Sequence, residues 1–349
     1  MTLDGNSITE VPNQGEYDVD VVCDDKNAIA YWDYKKWGIF VNNISHVKVK
    51  CVIEFKTGRH FNHYIMSLAN TNTEVVKIEH EATDQTPVLT DYRYTGSNPN
   101  NYVYFGCSDI CTEENLYRII GVIPTQSSSD GPYEPRVKLI KATFYEGESA
   151  ESSKLGNYTP NNKGYNWNKN GTNQWENSSL KDTLNEEFWN SLGESQKYIE
   201  PAKWYLGAPN SINLKKFIAR NYYLLERSDT RGYSGGEISF IANIGLMYPS
   251  DYSYSINKDN YEHIIYENGE LYKANAWLYG LEDKFMELLL TPDERGEAVY
   301  FIGNTGLVRT HLVNDEWEVF LARPTFYLKS KVLLEKGNGT KENPYRIKL

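Results

Sequence analysis

Two segments near the start of the chain alternate apolar and polar residues, and each carries a cysteine on its apolar side. In residues 17–23 that side consists of Val19, Val21 and Cys23, and in residues 47–55 it consists of Val47, Val49, Cys51, Ile53 and Phe55. A period of two residues is typical of strands that are buried on one face. Both cysteines are therefore expected to face one small core, which predicts a disulfide between Cys23 and Cys51.

A third apolar stripe, Trp37, Ile39 and Val41, is expected to point into the same core. A Cys–Trp–Cys order across strands is similar to that of an immunoglobulin-like sandwich. So small a core is marginally stable without a covalent link. In the loop-entropy model, closing the loop between Cys23 and Cys51 contributes roughly 3–4 kcal/mol. We therefore predict an immunoglobulin-like β module over residues 1–57.

The other two cysteines, Cys107 and Cys111, lie between segments predicted to be strands at 102–104 and 116–123. A disulfide between them would pin this loop, and two free thiols are the alternative. An even number of cysteines in a chain rich in Tyr, Asn and Thr favours an oxidising compartment.

The sequence does not specify a metal site or a cofactor. The cysteines do not form C-x2-C pairs, and the histidines are scattered along the chain. His60 and His63 are three residues apart on a helix predicted at 60–70, which is half of a metal site. The sequence names no carboxylate to complete the set, so these histidines are predicted to be exposed and polar.

The predicted fold class is α+β, with a helix and linker over 58–83 and a larger unit over 84–349. Strands are expected at 136–144, 298–302, 307–311 and 325–328, and a helix near 173–192 that Ser178 or Ser179 caps. On that helix, Leu180, Leu184 and Phe188 recur every four residues and predict one buried face. Long polar loops are expected at 150–178, 205–236 and 249–280.

The formal net charge is -11, which argues against nucleic acid as a partner because phosphate binding needs a basic surface. The start of the chain has neither the pattern of a signal peptide nor an apolar run long enough to span a membrane. We expect that an exporting or anchoring segment belongs to the protein but is absent from these 349 residues.

Several stretches follow one pattern in order: DYRYTGSNPNNYVYFGC (91–107), LYRIIGVI (116–123), RVKLIKA (136–142), NQWENSSLKDTLNEEFWNSL (173–192), IGLMYPSDYSY (244–254), ANAWL (274–278) and RPTFYLKS…GNGTKENPY (323–345). Together they resemble an uncharacterised C-terminal extracellular domain of surface and pilin-like proteins of Bacillota. Residues 4–23 and 32–43 resemble the small β module that often precedes that domain. The resemblance implies an extracellular or cell-surface protein.

The arrangement also resembles the C-type-lectin-like fold of the sulfatase-modifying-factor type, which implies a C-type-lectin-like domain over 84–349. Those enzymes use a cysteine pair late in the chain, whereas this chain has no cysteine after Cys111, which excludes that oxidase chemistry. The motifs of serine hydrolases, P-loop proteins, zinc proteases and dinucleotide-binding proteins are also absent. We therefore expect a protein that is not an enzyme.

Aromatic residues in the predicted loops are the candidate binding residues. They are Trp167, Trp175, Tyr205, Tyr233, Tyr252, Tyr254 and Trp277. Rings that stack on sugar faces beside Asn and Asp would form a glycan site, and loops packed on their own rings are the alternative.

The sequence thus favours a secreted or surface-displayed adhesion protein that recognises a glycan or a host surface protein. A pilus or appendage subunit capable of self-assembly is the second reading, and a glycan hydrolase is the third.

Overall fold

The computed structural model describes residues 1–14, 17–25, 28–43, 48–108, 110–152, 161, 163–232, 236–280, 285–315 and 319–348. These residues form a mixed fold in which several β-sheets carry short helices, as the predicted α+β class requires. Among them, no helix is both long enough and apolar enough to cross a bilayer.

The first unit is built on a four-stranded sheet with the order β2-β1-β6-β3. Its strands are β1 (Thr2–Leu3), β2 (Asn6–Ser7), β3 (Tyr17–Cys23) and β6 (Cys51–Thr57). Cys23 and Cys51 lie opposite each other on the neighbouring strands β3 and β6, and the predicted disulfide between them is confirmed. In an immunoglobulin domain the corresponding bond joins two sheets. Here it joins two strands of one sheet.

A separate hairpin, β4 (Ala28–Asp33) and β5 (Gly38–Asn43), packs beside this sheet. Trp32 on β4 is buried and meets Phe55 edge to face at 5.1 Å between ring centres. The predicted inward stripe on β5 is wrong for Ile39 and Val41, which are exposed. Trp37 occupies the turn before β5, where its backbone has a φ of 51°. The successive residues Ile39, Phe40 and Val41 are all exposed, so no described part of the chain covers either face of this strand.

The segment predicted to be a helix and linker contains the helix α1 (Phe61–Leu68) and then the strand β7 (Val75–His80). Helix α1 buries Phe61 and Ile65 against the larger unit. Strand β7 pairs with its neighbour β8 (Leu89–Tyr94), so it is an edge strand of the main sheet.

The main sheet has eight strands and the central order β14-β21-β11-β10-β8-β7, with β9 and β17 attached to β10 and β21. Its remaining strands are β9 (Tyr102–Tyr104), β10 (Leu116–Thr125), β11 (Glu134–Lys141), β14 (Ile199–Glu200), β17 (Ile244–Gly245) and β21 (Thr325–Leu328). All four residues of β21 are buried, and Pro324 lies just before them, where its missing N–H is not needed in the ladder. Strand β21 therefore lies inside the main sheet, whereas β22 and β23, which follow it, form a separate two-stranded sheet.

Smaller sheets and short helices complete the larger unit. The strands are β12 (Glu151–Ser152), β13 (Lys163–Gly164), β15 (Ala202–Tyr205), β16 (Ser239–Ala242), β18 (Glu287–Pro292), β19 (Ala298–Ile302), β20 (Val308–Leu312), β22 (Leu333–Lys336) and β23 (Arg346–Lys348). The helices are α2 (Ser179–Asp182), α3 (Trp189–Ser191), α4 (Ala219–Glu226), α5 (Pro249–Ser253) and α6 (Gly269–Asn275), with a π-helical segment Thr183–Phe188 between α2 and α3.

The helix predicted near 173–192 is confirmed in position, in cap and in buried face. Ser178 accepts a hydrogen bond from the Lys181 N–H and caps α2. Leu180, Leu184 and Phe188 are all at most 2% exposed. The second predicted disulfide, Cys107–Cys111, is also confirmed.

Candidate functional site

The structure corrects the location of the candidate aromatic residues. Six of the seven lie in the interior with at most 4% of their surface exposed: Trp167, Trp175, Tyr205, Tyr252, Tyr254 and Trp277. The seventh, Tyr233, lies outside the described residues. A ring that is buried in this way has no free face on which a sugar can stack, so these six rings pack the loops.

Hydrogen bonds from the buried rings fix distant loops to one another. The Trp167 indole donates to the Leu289 carbonyl at 3.2 Å, and the Trp277 indole donates to the Tyr94 carbonyl at 2.9 Å. The Tyr252 hydroxyl donates to the Gly306 carbonyl at 2.9 Å. Each ring therefore fills the core with its body and satisfies a buried backbone carbonyl with its polar end.

A network of buried charges runs beneath the main sheet. The Asp251 carboxylate on α5 accepts from Arg93 at 2.7 Å and from Lys138 at 2.6 Å. Asp91 accepts from the Arg93 Nε at 2.9 Å and faces His80 at 3.0 Å. These side chains are at most 2% exposed. A substrate has no access to them in this conformation, and the network joins β7, β8, β11 and α5 as a structural unit.

Burial shifts the pKa values of Lys138 and of a further buried group, Glu226. Burial raises the pKa of Glu226 to about 7, against the opposing effects of Arg227 and of two hydrogen bonds from Ser250. Burial also lowers the pKa of Lys138 to about 8, although Asp251 favours the charged ammonium. These shifts arise in a closed core, so they are not by themselves a sign of catalysis.

An open polar cleft lies on the helix formed by residues 179–191, which we call the cleft helix. Its three-residue polar edge, Asp182, Glu186 and Asn190, is exposed, and its apolar residues are buried on the opposite side. The π-helical segment Thr183–Phe188 forms the middle of this helix. A π-helical insertion widens the helix by one residue in a turn and is frequent at functional sites.

Asn185 fixes the cleft helix to the main sheet. Its side-chain amide donates to the Ile244 carbonyl at 3.0 Å, and its carbonyl accepts from the Ile244 N–H at 3.1 Å. Because strand β17 begins at Ile244, this pair of hydrogen bonds ties the π-helical segment directly to the edge of the sheet. The polar edge of the helix is therefore held on a rigid support.

The carboxylate of Glu187 holds the second wall of the cleft. It accepts hydrogen bonds from the Tyr145 hydroxyl at 2.8 Å, from the Glu148 N–H at 2.6 Å and from the Ser149 N–H at 3.2 Å. A Cβ at Gly147 would lie 1.8 Å from the Glu187 carboxylate, so a side chain there would displace this carboxylate from its present position. The loop at 147–149 is thus closed onto the helix by one charged group.

The cleft has a volume of about 460 Å³ and is lined mainly by hydroxyl, amide and carboxylate groups. Its lining residues are Ser149, Glu151, Tyr165, Asn166, Lys169, Ser179, Leu180, Asp182, Thr183, Glu186, Glu187 and Asn190. Among these lining residues, Lys169 forms an ion pair with Glu151. The carboxylates outnumber this lysine, so the cleft suits a neutral or cationic ligand that is rich in hydrogen-bonding groups.

Partial burial opposes the charge on Glu187, but the hydrogen bonds from Ser149, Tyr145 and the backbone outweigh it and lower the pKa of this carboxyl. A glycosidase needs one carboxyl group whose pKa is raised so that it can donate a proton. The pKa of Glu187 is lowered instead. Its geometry is that of a structural acceptor in the wall of the cleft.

A second cluster of chemically active side chains lies at the start of α1. The Oδ2 atom of Asp18 on β3 is 2.5 Å from Nδ1 of His60 and 2.9 Å from Nδ1 of His63. The donor atoms of these three residues all lie within 4.8 Å of one another. The hydrogen bond to Asp18 raises the pKa of His63, against the effect of its partial burial.

The sequence indicated parts of both sites and missed the contacts that build them. It predicted the cleft helix, and the four-residue spacing of Asp182, Glu186 and Asn190 could have indicated the polar edge. It placed His60 and His63 on one helix, but not Asp18, which is far away in sequence. His63 is exposed, as predicted, and His60 is partly exposed, but both also face the buried carboxylate of Asp18.

Comparison of this chain with protein-family models, with curated proteins and with solved structures found no match in any of the three.

Proposed function

We propose that this is a secreted or surface-displayed recognition protein that binds a neutral or amino-substituted glycan in the polar cleft. The observation that carries the proposal is the cleft helix, which presents Asp182, Glu186 and Asn190 to solvent from a π-helical segment anchored to the main sheet. Sugar hydroxyl groups need many donors and acceptors at fixed positions, and a rigid polar wall provides them.

The charge of the cleft narrows the ligand class. Carboxylates accept strong hydrogen bonds from hydroxyl and ammonium groups, whereas they repel sulfated or uronic sugars. The side chains of Leu180 and Tyr165 offer a ligand little surface, because both are at most 4% exposed. The proposal therefore shifts the ligand contacts from the aromatic rings that the sequence suggested to the carboxylates, hydroxyls and amides of the cleft.

Two disulfides support an extracellular location, because such bonds persist in oxidising compartments. That location and the order of the two units agree with the Bacillota surface-protein family that the sequence resembles. We extend the proposal to that family and to a C-type-lectin-like arrangement of the larger unit, on the support of the mixed α+β fold and the buried closing strand.

The test is a glycan array followed by titration calorimetry on the best ligand. Asp182→Ala, Glu186→Ala and Asn190→Ala each remove one exposed group from the cleft and should weaken binding at least tenfold. The melting temperature should change little, because exposed substitutions of this kind have small effects on stability. Glu270→Gln, an exposed carboxylate on α6, is the matched control and should bind as the original chain does.

Array binding that all three cleft variants retain would contradict the site, and the absence of any glycan ligand would contradict the ligand class. Release of reducing sugar that is lost in Glu186→Ala would instead favour the hydrolase reading.

One observation favours the second reading, an appendage subunit. The first unit exposes apolar side chains on its hairpin and on the strand pair β3–β6: Val22, Ile29, Ile39, Phe40, Val41 and Val52 are each at least 40% exposed. Exposed apolar surface of this kind is typical of a surface that meets a partner. Sedimentation over a range of concentrations tests it, since an assembling subunit forms larger species and a monomeric binding protein does not.

A further inference from the structure

Three metal-binding side chains from two separate elements meet where the first unit joins the helix α1. Asp18 comes from β3, His63 comes from α1, and His60 is the N-cap residue just before α1. Among the described residues, this is the group of acidic, histidine and cysteine side chains whose donor atoms converge closely enough to hold one ion. Neither the cleft nor the buried charge network includes these residues.

We infer that Asp18, His60 and His63 form a binding site for a divalent transition-metal ion, with Zn²⁺ as the best match. Two imidazole nitrogens and one carboxylate oxygen are a ligand set that zinc uses, with a water molecule at the fourth position. Calcium and magnesium prefer sites made of oxygen atoms alone. All four cysteines are in disulfides, so no thiolate competes for the ion.

The spacing of the donor atoms fits this set after a small adjustment. Zinc–ligand bonds of about 2.0–2.2 Å place tetrahedral ligand atoms about 3.3–3.5 Å apart. The two nitrogens now lie 2.5 Å and 2.9 Å from Oδ2 of Asp18. An ion between them would replace the shared protons and move each nitrogen outward by less than about 1 Å. The exposed edges of the rings leave room for that movement.

The surroundings position the carboxylate and leave one side open. The Oδ1 atom of Asp18 accepts a hydrogen bond from the His60 N–H at 3.0 Å, which fixes the direction of Oδ2. The Asp18 side chain is 3% exposed, whereas those of His60 and His63 are 34% and 46% exposed. Solvent therefore reaches the imidazoles, where a water ligand would complete the coordination.

An ion at this position would join two parts of the fold. Strand β3 belongs to the first sheet, whereas α1 packs its other face against the core of the larger unit. Near the cluster, the two parts also meet through the rings of Tyr34 and Tyr64, whose centres are 6.3 Å apart. The metal would cross-link the first unit to α1, independently of ligand binding in the cleft.

The experiment uses the whole chain after treatment with a chelator and dialysis. Zn²⁺ and Ca²⁺ are titrated by calorimetry, and Co²⁺ is added separately so that its visible absorption reports the ligand geometry. We expect one Zn²⁺ per chain, no comparable binding of Ca²⁺, and a tetrahedral Co²⁺ spectrum. Zinc should also raise the melting temperature and slow hydrogen exchange in β3 and α1.

Each of the variants His60→Gln, His63→Gln and Asp18→Asn should weaken Zn²⁺ binding at least tenfold. Asp18→Asn keeps the size of the side chain and its acceptor for the His60 N–H, and His63→Gln changes a half-exposed position, so both should fold. The matched control is His311→Gln, which removes another histidine–aspartate contact, at 3.0 Å to Asp315. The control should bind Zn²⁺ as the original chain does.

Stoichiometric Zn²⁺ binding that His60→Gln and His63→Gln both leave unchanged would overturn the inference. So would the absence of Zn²⁺ binding to the original chain, since the cluster would then be held by protons alone.

Discussion

The first unit and the larger unit differ sharply in how much of their apolar surface they bury. Among the described residues of 1–57, the buried apolar side chains are Trp32 and Phe55, while six other apolar residues of the hairpin and of β3–β6 are exposed. In the larger unit, one continuous core extends from Phe61 to Tyr345. A small core supplies little stability by itself. The first unit therefore depends on its disulfide and on its contacts with α1.

The larger unit has enough apolar core to enclose charges as well. Its carboxylates and cations are paired within hydrogen-bonding distance, as with Asp251 between Arg93 and Lys138. Burying an ion pair of this kind costs desolvation energy. The attraction between the charges offsets that cost only when their geometry is good. The comparison shows that a large core can enclose a whole network of charges, whereas the buried carboxylate of the first unit, Asp18, faces partly exposed histidines.

The largest expected effect comes from a matched pair of core substitutions, Phe326→Ala and Phe55→Ala. Both rings are fully buried. Phe326→Ala should lower the free energy of unfolding of the larger unit by about 3–5 kcal/mol. Phe55→Ala should destabilise residues 1–57 and leave the larger unit folded. Hydrogen exchange followed by mass spectrometry shows which of the two units each variant unfolds. If Phe55→Ala also increases exchange in the main sheet, the two units fold as one.

The next effect concerns the two disulfides, which close loops of very different length. Removing Cys23–Cys51, whose cysteines are 28 residues apart, should cost roughly 3–4 kcal/mol in the loop-entropy model, and removing Cys107–Cys111, with a separation of 4, should cost about 2 kcal/mol. Chemical denaturation of the double alanine variants measures both. Since the first unit has the smaller core, removing Cys23–Cys51 should lower the denaturant concentration at which that unit unfolds. An equal decrease in the free energy of unfolding for both variants would contradict the expectation that the first unit depends more strongly on its disulfide.

A third effect is the dependence of stability on pH through Glu226. Its pKa rises from an ordinary value of 4.5 to about 7 in the fold. Between these pH values the unfolded chain has lost the proton that the folded chain keeps, so stability should fall as the pH rises through this window and then level off. The free energy of unfolding should decrease by on the order of 3 kcal/mol across this window.

Denaturation curves at a series of pH values test this, with Glu226→Gln as the partner variant. The variant should show a smaller decline between pH 4.5 and 7; Glu287, whose pKa burial also raises, contributes to the part that remains. Asp91 and Asp251 have lowered pKa values, so their stabilising contribution is lost only in more acidic solution and does not overlap with that of Glu226. Identical curves for the two proteins in this window would show that Glu226 is ionised in the fold.

The smallest effect is expected at the exposed apolar residues of the first unit. The double substitution Ile39→Thr and Val41→Thr should change the free energy of unfolding by less than about 0.5 kcal/mol, because both side chains already meet water. Val122→Thr, at a fully buried position of β10, is the control and should cost more, because it buries a hydroxyl group. A large loss from the double variant would show that the hairpin is covered in solution.

Local patterns were sufficient to predict much of the fold. The alternation in residues 17–23 predicted β3, and the four-residue spacing of Leu180, Leu184 and Phe188 predicted the buried face of the cleft helix. The pair Ser178 and Ser179 predicted where that helix starts, and Ser178 is the cap. The same alternation predicted the Cys23–Cys51 bond. These features depend on neighbours in sequence, because the geometry of a strand or helix fixes which side chains share a face.

The loop aromatics show where such reasoning fails. Trp167 and Tyr252 have no periodic pattern, so the sequence suggested a binding role, yet long-range packing places both in the core. Ile39 and Val41 alternate correctly, but no described segment covers them, and both are exposed. Whether a ring or an apolar stripe is buried depends on what another segment places over it, and a single segment does not contain that information.

The sequence by itself determined the secondary structure around the cysteines, the position of the cleft helix, the two disulfides and the negative charge. Only the tertiary structure decided which groups meet. It brought Asp18 to His60 and His63, closed Glu187 onto the loop at 147–149, and placed Asp251 between Arg93 and Lys138. The physical reason is that a periodic pattern reflects backbone geometry within one segment, whereas a site is made by side chains that chain folding brings together from distant positions.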